Sequence, residues 1–244
     1  MENPKLSRTM VETSSTRYYA SKAPATQRHV SVKIAKTTNG KVLYKITKRI
    51  LDLSIALIAA ILFLPLYIVI ACIVALDGGP VLFRHTRIGQ NGVPFKCLKF
   101  RTMVVNADDV LQELLKRDAD ARAEWQRDFK LKKDVRVTKV GRFLRQSSLD
   151  ELPQILNVIR GEMSFVGPRP IVSAEIERYG KYIGHYYACR PGITGLWQVS
   201  GRSDTSYDER VLLDARYANT ASTYRDLMIM VKTVFVVFQR RGSY

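Results

Sequence analysis

Three stretches of the sequence concentrate residue types that can do chemistry. The first runs Arg145-Gln146-Ser147-Ser148-Leu149-Asp150-Glu151-Leu152-Pro153-Gln154. On a helix the adjacent carboxylates of Asp150 and Glu151 project roughly 100 degrees apart, so one can face a substrate while its neighbour orients a metal or a proton. The same residues suit a local task. Ser148 followed three residues later by Glu151 has capping-box spacing, and an aspartate is favoured at a helix N-terminus in any case. Spacing alone does not choose between these readings.

The second stretch, Gly161 to Pro170, ends in Gly167-Pro168-Arg169-Pro170. Two prolines fix the backbone on either side of Arg169 and would present its guanidinium in a preset geometry suited to bidentate phosphate binding. A rigid turn carrying a surface arginine is the alternative. The third, Arg190 to Arg202, has glycines at 192, 195 and 201 that would let backbone amides approach an anion, with Arg190 and Arg202 flanking them. It matches no Walker or dinucleotide fingerprint and is weak by itself.

The elements that must position these residues begin with a membrane segment. Leu53 to Leu76 is 24 residues without a charge, where about 20 apolar residues suffice to cross a bilayer core. The run starts too far into the chain, and Ala71-Cys72-Ile73 is too poor a cleavage site, for a signal peptide. Lys41, Lys45, Lys48 and Arg49 precede the run, and Arg84, Arg87, Lys96, Lys99 and Arg101 follow it. The positive-inside tendency therefore puts both ends in the cytoplasm. Pro65, near the middle, allows a sharp kink, so a re-entrant helical hairpin is the favoured reading, and a straight span with a tolerated proline is the alternative.

Beyond it, Asp77-Gly78-Gly79-Pro80 reads as a turn. Val81 to Phe83 and Val93 to Phe100 read as short extended pieces around Gly89-Gln90-Asn91-Gly92. Residues 106 to 132 carry helical spacing, with Val110, Leu111, Leu114 and Leu115 on one face of a long charged helix. Arg142 to Leu144 and Leu149 to Ile159 give further helical patches, stopped by Gly161. Asp226 to Phe238 is almost wholly apolar and short for a span, which fits an interfacial helix or a buried core helix about equally. The expected organisation is a disordered basic tail (1–40), a membrane hairpin (41–78) and a cytoplasmic catalytic domain (79–244). The fold class is a helix-rich α/β mixture with small β elements and interfacial amphipathic helices.

The net charge of +17 attracts nucleic acid, anionic lipid or phosphorylated substrates. Residues 1 to 49 hold eleven Lys or Arg against two Glu, and with the apolar run beside them membrane lipids are the favoured partner. No nucleic-acid module is recognisable. Cys72, Cys97 and Cys189 are odd in number and widely spaced, so neither a disulfide framework nor a structural zinc site is indicated. His29, His85 and His185 are isolated and read as surface or local structure.

Taken in order, and joined by Lys99-Phe100-Arg101-Thr102-Met103 and the ending Arg241-Gly242-Ser243-Tyr244, these stretches resemble the bacterial sugar transferase family. These are polyprenyl-phosphate phosphoglycosyl transferases with a single membrane-embedded hairpin, and the similarity runs from about Lys48 to Tyr244. The likeness is greatest to short members that prime exopolysaccharide synthesis. It implies an enzyme at the cytoplasmic face of the bacterial inner membrane that transfers a hexose-1-phosphate from a UDP-sugar to undecaprenyl phosphate and releases UMP.

By that resemblance Asp150 is the nucleophile, forming a phospho-aspartate intermediate, and Asp150 or Glu151 touches Mg2+. Arg145 and Arg169 are expected to bind phosphate. Lys99 and Arg101 are expected at the carrier phosphate because they follow the hairpin closely, and Arg202 is the weakest of the set. Galactose, glucose and an acetamido sugar all stay open as the donor sugar, as do a homodimer and a related hydrolase. A basic membrane-surface adaptor is the competing reading from another class, and it would survive Asp150→Asn.

Overall fold

The computed structural model describes residues 39–128, 131, 133–201 and 205–238. The expected tail, apart from Asn39 and Gly40, and Arg202 both lie outside the described residues. The chain divides into two units, one containing residues 106–136 and the other residues 32–105 with 137–244.

The second unit opens with helix α1 (Asn39–Leu62) and helix α2 (Leu64–Ala75). They meet at Phe63, with Pro65 in the first turn of α2, where the missing amide costs nothing. No single described helix is long and apolar enough to cross a membrane. The pair Val42–Leu62 and Leu64–Ala75 passes that test together and is bent by 63°. Leu57, Ile58, Ile61, Leu62, Leu64, Ile68 and Val69 are all exposed on it.

The polar end of α1 is fastened to the rest of the unit. Arg49 donates to the carbonyls of Val158 and Ile159 at 2.7 and 2.9 Å, at the C-terminal, electronegative end of a later helix. Buried Asp52 accepts from the Ser164 hydroxyl at 3.0 Å and the Phe165 amide at 3.1 Å. Asp226 accepts from Tyr44, Lys48 and Tyr217 at 2.9, 2.9 and 2.8 Å.

After the turn at Gly78 (φ +75°), strands β1 (Leu82–Ile88) and β2 (Pro94–Phe100) form an antiparallel hairpin. Phe83 pairs with Lys99, His85 with Cys97 and Arg87 with Phe95, and because side chains alternate along a strand these six share one face. Helix α2 packs beside this hairpin. Ile70 and Val74 join Phe100 and Leu144 in one apolar cluster.

The expected long charged helix in the first unit is two helices, α3 (Ala107–Arg117) and α4 (Ala119–Asp128). Asp118 adopts extended dihedrals between them, and its carboxylate accepts the Ala121 amide at 2.9 Å, starting α4 afresh. Arg122 turns back to the carbonyls of Leu115 and Lys116.

The second unit resumes with α5 (Lys139–Gln146), a 3-10 turn (Leu149–Glu151) and α6 (Gln154–Arg160). Gly161 closes α6 at φ +80°, as its place in the sequence predicts. Strands β3 (Ser164–Val166) and β4 (Gly192–Thr194) pair in parallel. Short helices α7 (Ile176–Tyr179) and α8 (Ile183–Tyr187) lie between them in sequence. Helices α9 (Tyr207–Thr220) and α10 (Thr223–Phe238) close the described chain.

The apolar C-terminal segment has two unlike faces, one packed as a core helix would be and the other exposed. Asp226 and Ile229 are buried and Thr233 bonds Thr194 at 2.7 Å, whereas Leu227, Met228, Val231, Val234 and Phe235 are exposed.

Candidate active site

Asp150 and Glu151 sit on the 3-10 turn between α5 and α6. Ser148 enters it in the left-handed region at φ +58°. Its side chain caps nothing, and the Glu151 amide bonds the Ser148 carbonyl instead. The capping box expected from the spacing is therefore absent, because a left-handed Ser148 cannot supply the extended geometry that an N-cap needs. Leu149 and Leu152, on either side of the carboxylates, pack against the cluster around Phe100 and Leu144. That anchoring fixes where Asp150 and Glu151 point.

Lys99 meets both. Its ammonium is 2.6 Å from Glu151 Oε1 and 3.7 Å from Asp150 Oδ2. The strand carrying Lys99 is held from its other edge by the fully buried Asn157. This side chain accepts the Leu98 amide at 3.0 Å and donates to the Lys96 carbonyl at 2.8 Å and to Glu162 at 2.6 Å.

Asp150 is buried, with 7% of its surface exposed. Burial raises its pKa above the usual 3.8, opposed by Lys99, reinforced by Glu151 and opposed again by Arg145. Lys99 is pushed the other way. Burial disfavours its charge, yet Glu151 and Asp150 together outweigh that and raise its pKa. The lysine thus draws the aspartate toward its ionised form, against the burial that raises its pKa.

Arg145 is fixed by the end of the same hairpin, since its Nε donates to Thr102 Oγ1 at 2.9 Å. Helix α5 lies so close that a Cβ on Gly141 would fall 2.0 Å from the Thr102 carbonyl oxygen. Arg169 is exposed between buried Pro168 and half-buried Pro170, with its guanidinium 5.8 Å from the Trp197 ring centroid. Its loop is tied to β1, because Ile88 bonds the Ile171 carbonyl at 2.9 Å and Arg87 the Pro170 carbonyl at 3.2 Å.

Arg101 is placed differently from Lys99. It is buried, and all five of its N–H donors are taken by the Val74, Pro80 and Met103 carbonyls and both oxygens of Asp77. This arrangement staples the end of α2 to the hairpin, and no donor is left over for a phosphate.

The glycines of the third stretch also work differently from the anion cradle expected of them. A Cβ on Gly167 would lie 2.2 Å from the Arg190 carbonyl, one on Gly192 2.2 Å from the Gly167 amide, and one on Gly195 2.1 Å from the Gly167 carbonyl. They let the backbones of the second and third stretches touch, with the Gly192 amide on the Pro168 carbonyl at 2.8 Å and the Gly167 amide on the Thr194 carbonyl at 2.9 Å.

Sequence reasoning passed over Arg87 and His85, which share the Lys99 face of the hairpin. Exact strand register was the signal that would have found them. Burial and then Arg87, Lys99 and Lys96 push His85 down to about 4, so it is neutral at physiological pH. Among the described residues no group of three or more His, Cys, Asp or Glu could enclose a metal. Two adjacent carboxylates do match Mg2+, which takes one or two carboxylates and completes its shell with water and substrate phosphates.

A family model described as bacterial sugar transferase matches residues 43–240. The chain is 52% identical over 197 residues to a UDP-galactose-lipid carrier transferase of Erwinia amylovora, covering 81% of this chain and 41% of that protein. It is 52% identical over 198 residues to the exopolysaccharide production protein ExoY of Rhizobium meliloti, with coverage of 81% and 88%. With a UDP-glucose:undecaprenyl-phosphate glucose-1-phosphate transferase of Caulobacter vibrioides it shares 43% over 215 residues, covering 84% and 74%. The chain thus spans about two fifths of the length of the Erwinia protein and most of the length of ExoY. On the family match and these identities, the chain belongs to the bacterial sugar transferase family.

Proposed function

We propose that this protein transfers a hexose-1-phosphate from a UDP-sugar to undecaprenyl phosphate as the first step in building an exopolysaccharide. The observation that carries the reading is the buried Asp150 beside Glu151, both facing Lys99 on the hairpin that follows the bent apolar helix pair.

In the first step an Asp150 oxygen attacks the sugar-bearing phosphorus. The P–O bond to the bridging oxygen breaks and UMP leaves. In the second, an oxygen of the carrier phosphate attacks the same phosphorus and the acyl-phosphate bond breaks, which returns the Asp150 carboxylate. Splitting the transfer in this way removes any need to hold nucleotide and lipid together. Lys99 opposes the protonation of Asp150 that burial favours, and Arg145 and Arg169 hold phosphate oxygens. Mg2+ bound by Asp150 and Glu151 would supply charge neutralisation on the phosphates.

The bent helices α1 and α2 form a re-entrant hairpin with both ends in the cytoplasm, and the exposed apolar face of α10 rests in the headgroup region. The active site then lies at the depth of the carrier phosphate. Arg101 sets that depth as a structural clamp and makes no contact with the carrier.

UMP release by the detergent-solubilised full chain tests the reading, with Mg2+ and UDP-galactose, UDP-glucose or UDP-acetamido sugars, with and without undecaprenyl phosphate. Lipid-dependent release from one preferred donor, abolished in Asp150→Asn, is the expected result. Release that survives Asp150→Asn, or none from any donor, overturns it.

A further inference from the structure

Beside the candidate active site, the guanidinium groups of Arg87 and Arg210 flank one carboxylate, and a third, that of Arg169, stands near them. Arg87 comes from β1, Arg169 from the Gly-Pro-Arg-Pro loop and Arg210 from α9. Glu175 stands between Arg87 and Arg210 and satisfies neither fully. Its oxygens are 3.9 Å from Arg87 Nη1 and 3.4 Å from Arg210 Nη2, and Glu175 Oε2 already accepts the Val172 amide at 2.9 Å. Among the described residues no carboxylate forms an ion pair with Arg169. Arg210 is 8% exposed, and its Nε, like the neighbouring Trp197 Nε1, is a buried donor with no acceptor. The Trp197 ring orients two of the three, with the Arg210 and Arg169 guanidinium carbons 5.2 and 5.8 Å from its centroid.

The surplus is of positive charge and of donors. Burial, followed by the Arg169 charge, lowers the Arg87 pKa, so Arg87 is held charged at a cost, whereas Tyr179, Glu175, Tyr207 and Asp214 outweigh burial and raise that of Arg210. The other buried carboxylate nearby, Asp214, bonds Tyr179 at 2.7 Å, and burial pushes it up to about 7, so at neutral pH it offsets the excess only in part. The cluster adjoins Asp150 and Glu151, since Arg87 shares one face of the hairpin with Lys99, which meets both carboxylates, and the Cys97 thiol on that face feels Lys99, Arg87, Glu151 and Arg169. A ligand fitting such a site carries more negative charge and more acceptors than one carboxylate, and planar guanidinium forks match phosphate oxygens.

We propose that Arg87, Arg169 and Arg210 form the subsite for the nucleotide-side phosphate of the donor, and that Glu175 is the internal anion this phosphate displaces. This rests on the donor being a UDP-sugar. The two arginines added to the site are Arg87 and Arg210, and Glu175 holds them apart and in place until donor arrives.

UDP and uridine binding to the full chain in detergent, by calorimetry, tests the subsite in wild type, Arg87→Gln, Arg210→Gln and Glu175→Gln. Each arginine variant should weaken UDP at least tenfold and leave uridine unchanged. Glu175→Gln, which can still accept the Val172 amide, should tighten UDP severalfold. That gain of affinity is a readout that misfolding cannot mimic. Wild-type protein that neither binds UDP nor releases UMP from any UDP-sugar would sink the donor assignment itself. Wild-type protein that does both, with arginine variants binding UDP as tightly as wild type or Glu175→Gln binding it more weakly, overturns the subsite alone.

Discussion

Replacing Asp226 with alanine tests how the apolar helices are held to the catalytic unit. Asp226 is 2% exposed and receives Tyr44 and Lys48 from α1 and Tyr217 from α9. Removing one partner of a buried ion pair costs about 3–5 kcal/mol. The Lys48 side chain keeps 15% exposure and can regain some water, which selects the lower end. Tyr44 loses its best acceptor, adding about 1 kcal/mol, whereas Tyr217 still reaches the Val166 carbonyl at 3.1 Å. The sum is about 4 kcal/mol. At ~2–4 °C per kcal/mol for a chain of this size, Tm falls by roughly 8–16 °C. Thermal unfolding followed by circular dichroism in one detergent measures this, with exposed Asp208→Ala as the control near zero. Asp226→Asn, which keeps an acceptor for a hydroxyl, should fall between them. A shift for Asp226→Ala no larger than the control's would show that the network is ornamental and that apolar packing alone fastens α1.

Gly167→Ala would drive a methyl to 2.2 Å from the Arg190 carbonyl. It should cost at least ~2 kcal/mol by overpacking and lower turnover with stability, and normal Tm and turnover would refute the backbone contact. Asp214 has a folded pKa of about 7 against an ordinary 3.8, so its contribution to stability is most favourable below about pH 4 and is lost as pH rises through 7. Asp214→Asn should therefore stabilise the protein at pH 8 by at most about 4 kcal/mol, with the gain vanishing near pH 4. A gain that grew on acidification would reverse the sign and refute the burial argument. Ile61→Lys, at a position 76% exposed on the apolar pair, should weaken co-flotation with vesicles far more than Val110→Lys, and equal partitioning would count against the membrane placement of α1 and α2.

Much of this arrangement is legible in the sequence because it is written in local signals. The charge-free run, Pro65, the Gly89–Gly92 turn and Gly161 each act through backbone preferences that need no tertiary context, and the helix break, the hairpin and the end of α6 fall where they indicate. The misreadings share a cause. Ser148 and Glu151 have capping-box spacing, yet packing of Leu149 and Leu152 against Phe100 and Leu144 sets the turn. Asp118 interrupts a helical pattern with no proline or glycine to announce it. Arg101 and Lys99 look alike two residues apart in sequence, but β2 ends at Phe100, so Lys99 stays on the strand and meets Glu151 while Arg101 lies beyond its end and turns to Asp77. The glycines at 192 and 195 suit an anion or another backbone equally, and only the partner strand decides. Arg87, Glu175 and Arg210 come from three distant segments, so no spacing could join them.

The staple made by Arg101 bears on any attempt to turn this protein into a water-soluble reagent. Cutting the chain after Leu76 would remove the Val74 carbonyl and strip Ile70 and Val74 from Phe100 and Leu144. It would also take away Asp52, Arg49 and Lys48 with everything they hold. What is left exposes a raw apolar face directly beneath the strand that carries Lys99. The apolar helices therefore belong to the packing that seats the Leu149–Leu152 turn, and solubility has to be sought by recolouring their exposed side chains with the helices left in place.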